Sequence, residues 1–141
     1  MKQLFLYIAL ILASVAGYAQ TNLKTPEEES NSSIEMGNIK AENGDWKGAL
    51  NDYTNAIGYN PKNEIAYFHS GIAKQNLRDY RAAIVDFSRA LYFNNSDAEA
   101  YFARGICYYL IGNKQKCCFD LTKALEFGKS EANLEIQNYC N

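Results

Sequence analysis

A spacing of thirty-four residues recurs through this chain and leaves few folds open to it. Gly37, Gly71 and Gly105 form one column, Asp45, Asp79 and Asn113 a second, and Asp52, Asp86 and Asp120 a third. Ala49, Ala83 and Cys117 follow, then Tyr53, Phe87 and Leu121, then Ala56, Ala90 and Ala124. Self-similarity held in register over so many columns marks a repeat architecture. Each unit carries apolar residues at helical spacing, a polar turn, and a second such run ending at an Asn-Pro or Asn-rich stop, so the unit is a helix-turn-helix. The glycine column removes a side chain where two helices cross closely, and the alanines twelve and nineteen residues later offer small partners on the opposing helix. A hairpin of this kind cannot bury its other face alone, so its neighbours must stack on it.

At Gly71, Tyr80, Ala83, Phe87 and Ala90, with Pro61 closing the first unit, the pattern resembles the tetratricopeptide repeat, here of a secreted bacterial type. The resemblance implies an all-α fold, a right-handed superhelical stack of three helix-turn-helix repeats over residues 30–63, 64–97 and 98–131, closed by a capping helix over 132–141. Leu134, Ile136 and Tyr139, set among polar residues, suit a cap with one wet face. The sequence departs from the family pattern at Ser33, Lys114 and Cys117, and the closing proline is replaced by Asn95 and Lys129.

The amino terminus is a different material. Lys2, an apolar run from Leu4 to Val15 and the small residues around Ala19 read as a secretory signal over residues 1–19, cleaved before Gln20. The apolar run falls short of the ~20 residues that span a bilayer, so no membrane insertion is expected once it is removed. Residues 20–29 form a polar leader whose glutamates face the positive end of the first helix. The mature chain is expected to be exported, periplasmic or extracellular.

A formal net charge of −2 argues against nucleic acid as a partner, because phosphate binding needs a basic field. No phosphate-cradling glycine loop, nucleophile elbow or pair of metal-spaced histidines occurs, so no enzyme, cofactor or metal is expected. His69 is the single histidine and has no ligand company. The aspartate column is one acidic residue per repeat in one structural place. Arg104 is the candidate partner for Asp120 or Asp86, and Asp45 and Asp79 read as helix caps. Trp46, the single tryptophan, reads as packing, with a ligand contact as the other role for its indole.

A binding surface remains. The resemblance implies that first helices line the concave side, with positions three before and one after each glycine facing inward: Ile34 and Asn38, Phe68 and Ile72, Phe102 and Ile106. Ala41, Gln75 and Tyr109 stand one turn further along, and His69 belongs to the same face. Phe68 and Phe102 have a second reading, as packing between adjacent first helices. Family members that grip a peptide's terminal carboxylate carry lysine and arginine here, whereas this chain has Ile34, His69, Glu99 and Ala103. The expected function is an exported module that holds a partner's peptide or helix in an apolar groove. The rival is an envelope assembly element whose groove is buried by self-association as a homo-oligomer, which a native mass measurement separates.

Four cysteines, Cys107, Cys117, Cys118 and Cys140, allow three complete pairings. Cys117 replaces a seam alanine and points toward Gly105, while Cys107 lies about 200° round the helix from that glycine. Cys118 lies on the stripe that meets the cap, which carries Cys140, so a Cys118 to Cys140 bond is expected. The alternative is four buried free thiols.

Overall fold

The computed structural model describes residue 3, residues 7–12 and residues 23–140. The expected cleavage before Gln20 and most of the expected signal fall outside them; residues 7–12 are helical with exposed side chains. Among the described residues no helix is long and apolar enough to cross a membrane.

Seven helices follow in order: α1 (Pro26–Glu42), α2 (Trp46–Tyr59), α3 (Glu64–Asn76), α4 (Tyr80–Phe93), α5 (Ala98–Leu110), α6 (Lys114–Glu126) and α7 (Ala132–Cys140). They pair as hairpins α1/α2, α3/α4 and α5/α6, and α7 packs on α6. Direct contacts join α1 to α3 and α3 to α5, whereas no comparable contact joins α2 to α4 or α4 to α6 among the described residues. The stack therefore curls toward its first helices. This is an all-α solenoid of three hairpins and a capping helix.

Local chemistry sets the ends. α1 begins at Pro26 rather than at Ser30, so the leader read from the sequence is four residues too long. The reason is a reciprocal cap: Thr25 Oγ1 accepts from the Glu28 amide at 3.2 Å, and the Glu28 carboxylate accepts from the Thr25 amide at 2.7 Å. Proline at the first turn and three glutamates facing the helix dipole complete that start. Asp45, Asp79 and Asn113 cap α2, α4 and α6, each accepting a backbone amide three residues on. The hairpin turns need a left-handed residue. Gly44 and Gly112 supply it at φ 79°, but the second hairpin uses Arg78 at φ 64°, a conformation that disfavours a side chain by about 1–2 kcal/mol.

The glycine column does hold the helix crossings, against a partner other than the one expected. A Cβ on Gly71 would sit 2.6 Å from Phe87 Cε1, and one on Gly37 would strike the Tyr53 ring. In the first two hairpins the aromatic sixteen residues later lies against the glycine, with Ala49 and Ala56 clustered at Tyr53 and Ala83 at Phe87, and in the third Leu121 takes that place. Each hairpin also carries a buried carboxylate with a cation: Lys40 to Asp52 at 2.7 Å, Lys74 to Asp86 at 2.6 Å, and Arg104 to Asp120 at 2.7 Å. Tyr108 occupies the column of Lys40 and Lys74, and Arg104, one turn earlier, takes over with a two-point grip on Asp120.

Candidate functional site

The face built by α1, α3 and α5 is uneven along its length. Ile34 does not lie on it. At 7% exposure Ile34 belongs to a core cluster with Ala49, Tyr53, Ala56, Ala66 and Ala73. The physical reason is helical phase: three residues before Gly37 is one turn back on the same side, the side turned to α2. Phe68 has the equivalent place on α3 and is half-buried, with its ring 5.8 Å from Phe87 and 5.5 Å from His69. Phe68 packs against the cluster of Ala83, Phe87, Ala103 and Cys107, as its packing reading expects, and it is not among the residues lining the recess.

Asn38, His69 and Ile72 are brought together. With Ala41, Glu42, Trp46 and Tyr53 they line an open recess of about 390 Å³ where the end of α1, the start of α2 and the middle of α3 converge. Tyr53 is its floor. The Tyr53 hydroxyl donates to Asn38 Oδ1 at 2.8 Å, and the His69 ring stacks on the Tyr53 ring at 5.4 Å. Burial holds the His69 imidazole below its ordinary pKa, so it is neutral at neutral pH. Burial also raises the Tyr53 phenol, with the Asp52 and Glu42 carboxylates adding to the effect. Trp46 packs against the first core cluster, the role expected of it, and it also lines the recess.

The other expected residues stand outside the recess. Gln75 is half-buried at the end of α3, and Ile106 is half-buried on α5. Phe102 lies beneath Lys129, whose Nζ is 5.4 Å from the ring centroid and 2.6 Å from the Glu99 carboxylate. Tyr109 is 44% exposed yet stacked by Tyr139 of α7, with centroids 3.9 Å apart. The capping helix thus occupies part of the face at the third hairpin, and the open part belongs to the first two. Glu42 and Tyr53 were missed as site residues. The only sequence signal for them was their place near the first turn beside an unmatched tryptophan.

Cys118 and Cys140 are bonded, with Cα atoms 5.7 Å apart. Cys107 and Cys117 are buried free thiols. Burial pushes Cys107 up to about 12 and raises Cys117 as well, which leaves neither a nucleophile at neutral pH. No group of three or more metal-binding side chains occurs among the described residues.

Residues 37–77 match the family model described as TPR repeat. A comparison with characterised protein sequences gave no significant match. Among solved structures, the chain is similar to the first TPR of Spaghetti (RPAP3) bound to the HSP90 peptide SRMEEVD, with TM-score 0.80 and 21% identity over 84% of this chain and 96% of that one. It is similar to the Arabidopsis OM64 TPR domain, with TM-score 0.78 and 24% identity over 81% and 96%. It is also similar to the second TPR domain of human RPAP3 in complex with the HSP70 peptide SGPTIEEVD, with TM-score 0.78 and 21% identity over 82% and 98%. At these identities the likeness establishes the fold, and together with the match over residues 37–77 it supports the tetratricopeptide-repeat family for this stack.

Proposed function

We propose that the chain is a protein-interaction module which holds a peptide or helix of a partner protein on the face of its first helices, and that it works outside the cytoplasm after loss of residues 1–19. The observation that carries this reading is the recess at Asn38, His69 and Ile72, an open hollow with aromatic lining on the face of the first helices; that two similar domains are solved in complex with peptides supports it. Apolar side chains such as Ile72 left half-exposed round such a hollow suit a partner's apolar residues better than water. The Cys118–Cys140 bond supports export, because disulfides persist in oxidising compartments.

The peptides in those two complexes are acidic at their ends. Among the described residues no basic clamp stands at the matching positions: Ile34 is buried, His69 is neutral, Ala103 is 7% exposed, and Glu99 is an acid paired with Lys129. A different peptide chemistry is implied. Changing Ile72, which lines the recess, to serine together with Ile106 further along the same face is expected to weaken partner capture by the mature chain roughly fivefold or more, chiefly through the apolar contact worth about 1 kcal/mol lost at Ile72. Helical content by circular dichroism should be nearly unchanged. Undiminished capture by the folded double variant contradicts the reading.

A further inference from the structure

We infer that the recess formed by Asn38, Glu42, Trp46, Tyr53, His69 and Ile72 takes a basic side chain, lysine or arginine, of the bound peptide. The inference rests on the peptide-binding reading above and names the chemistry that this face selects.

Charge and ring placement carry it. The residues lining the recess include no lysine or arginine and one carboxylate, Glu42. Glu42 is exposed and makes no ion pair or side-chain hydrogen bond among the described residues. It is also the last residue of α1, where the negative end of the helix dipole adds to its charge. The positive end of α2, beside Trp46, is already answered by Asp45, whose carboxylate accepts from the Gly48 amide at 2.9 Å. Lys40 and Lys74 follow Asn38 and Ile72 by two residues, but their ammonium groups are held on Asp52 and Asp86. The one charged side chain lining the recess is therefore an unpaired carboxylate. Trp46, Tyr53 and His69 also line the recess, the last two stacked on each other, and aromatic faces attract a cation.

The chain shows the same preference at its own third hairpin. There Lys129 lies 5.4 Å over Phe102, Lys116 lies 5.3 Å over Tyr108, and Arg104 lies 5.5 Å over Tyr101. The aromatic hollow of the first hairpin has the acid and the rings without a cation among its lining residues. Glu42 with Trp46 suits the end of a long basic side chain whose methylenes lie along Ile72 and Ala41.

Trp46 is the one tryptophan, so its emission reports the recess directly. The mature chain is titrated with acetylated, amidated pentapeptides Leu-Ala-Xaa-Ala-Leu carrying arginine, lysine, citrulline or aspartate at the centre, up to millimolar concentration. Citrulline keeps the shape of arginine and removes its charge. The arginine and lysine peptides should bind roughly fivefold or more tightly than the citrulline peptide, with the aspartate peptide weakest. Glu42→Gln, a change at an exposed helix end, should bring arginine and citrulline together. Equal affinities in the parent chain, or a preference that survives Glu42→Gln, overturn the basic-side-chain assignment. The peptide-binding reading survives if the citrulline peptide binds as well as the arginine peptide. If no peptide perturbs Trp46, the assignment fails and the recess fails with it as a peptide site.

Discussion

Valine at Gly71 is expected to lower the melting temperature by roughly 5 to 15 °C, the equivalent of about 1–3 kcal/mol of overpacking in a domain of this size. Any Cβ there would stand 2.6 Å from Phe87 Cε1 and 2.8 Å from Cδ1, inside contact distance with a ring that is itself wholly buried. Phe87 cannot swing away, because Ala83 and Phe68 confine it and Cys107 closes the cluster on α5. The proper comparison is a helical glycine without a neighbour. Gly58 on α2 has no heavy atom within 4 Å of its would-be Cβ, so Gly58→Ala should stabilise by about 0.5–1 kcal/mol through helix propensity alone. Thermal melts of both variants decide the point. A Gly71→Val protein that melts like its parent means that the α3/α4 crossing is wider than this packing requires.

Serine at Cys118 is expected to free α7 and to lower stability by up to about 3 kcal/mol, the chain-entropy value for a bond closing a span of 22 residues. The cap is nine residues long, too short to persist as an isolated helix, and Tyr139 on Tyr109 is its remaining ring contact with the stack. Loss of the bond should therefore show first as faster amide exchange across residues 132–140 and only second as a lower melting temperature. Reduction of the parent protein should give the same pattern. Alkylation of the reduced, folded chain should then mark Cys118 and Cys140 ahead of Cys107 and Cys117, whose thiols burial keeps protonated. Full exchange protection of α7 in the Cys118→Ser protein contradicts this account of the cap.

The repeat made most of the fold legible, because columns thirty-four residues apart fix the helix phase and phase fixes the buried side. Asp45 and Asp79 were readable as caps, and Arg104 as the partner of Asp120 or Asp86, for the same reason. Contacts between helices were harder to read. Phase says that Gly71 faces α4 but not which α4 side chain lies over it, and the crossing places Phe87 there rather than an alanine. Ser30 and Asn63 illustrate the limit further. Ser30 donates to the Ala56 carbonyl at 3.0 Å and accepts from Asn63 Nδ2 at 3.0 Å, a buried polar junction between the first two hairpins. Neither residue stands out in sequence, because a serine and an asparagine near helix starts look like ordinary caps.

The candidate site was legible in outline on α3, where His69 and Ile72 line the recess, and on α1 at Asn38. Ile34 was misplaced because an inward position inferred from resemblance ignored that it shares Gly37's side of the helix. Gln75, Phe102, Ile106 and Tyr109 follow the repeat and lie outside the recess. How α7 shares the face at Tyr109 depends on the cap's rotation, which its nine residues do not repeat and so do not reveal.

Site-specific photo-crosslinking tests the central claim most directly, since it asks which face meets a partner. A benzophenone amino acid is placed singly at Asn38 or Gln75 on the first helices, and in separate proteins at Val85 or Phe119, which are 59% and 58% exposed on α4 and α6. Irradiation of cells that express each variant should give discrete heavier adducts from positions 38 and 75 and none from 85 and 119. Adducts confined to Val85 and Phe119, or adducts from Asn38 only at twice the chain's own mass, would show that the partner lies elsewhere or is a second copy of this chain.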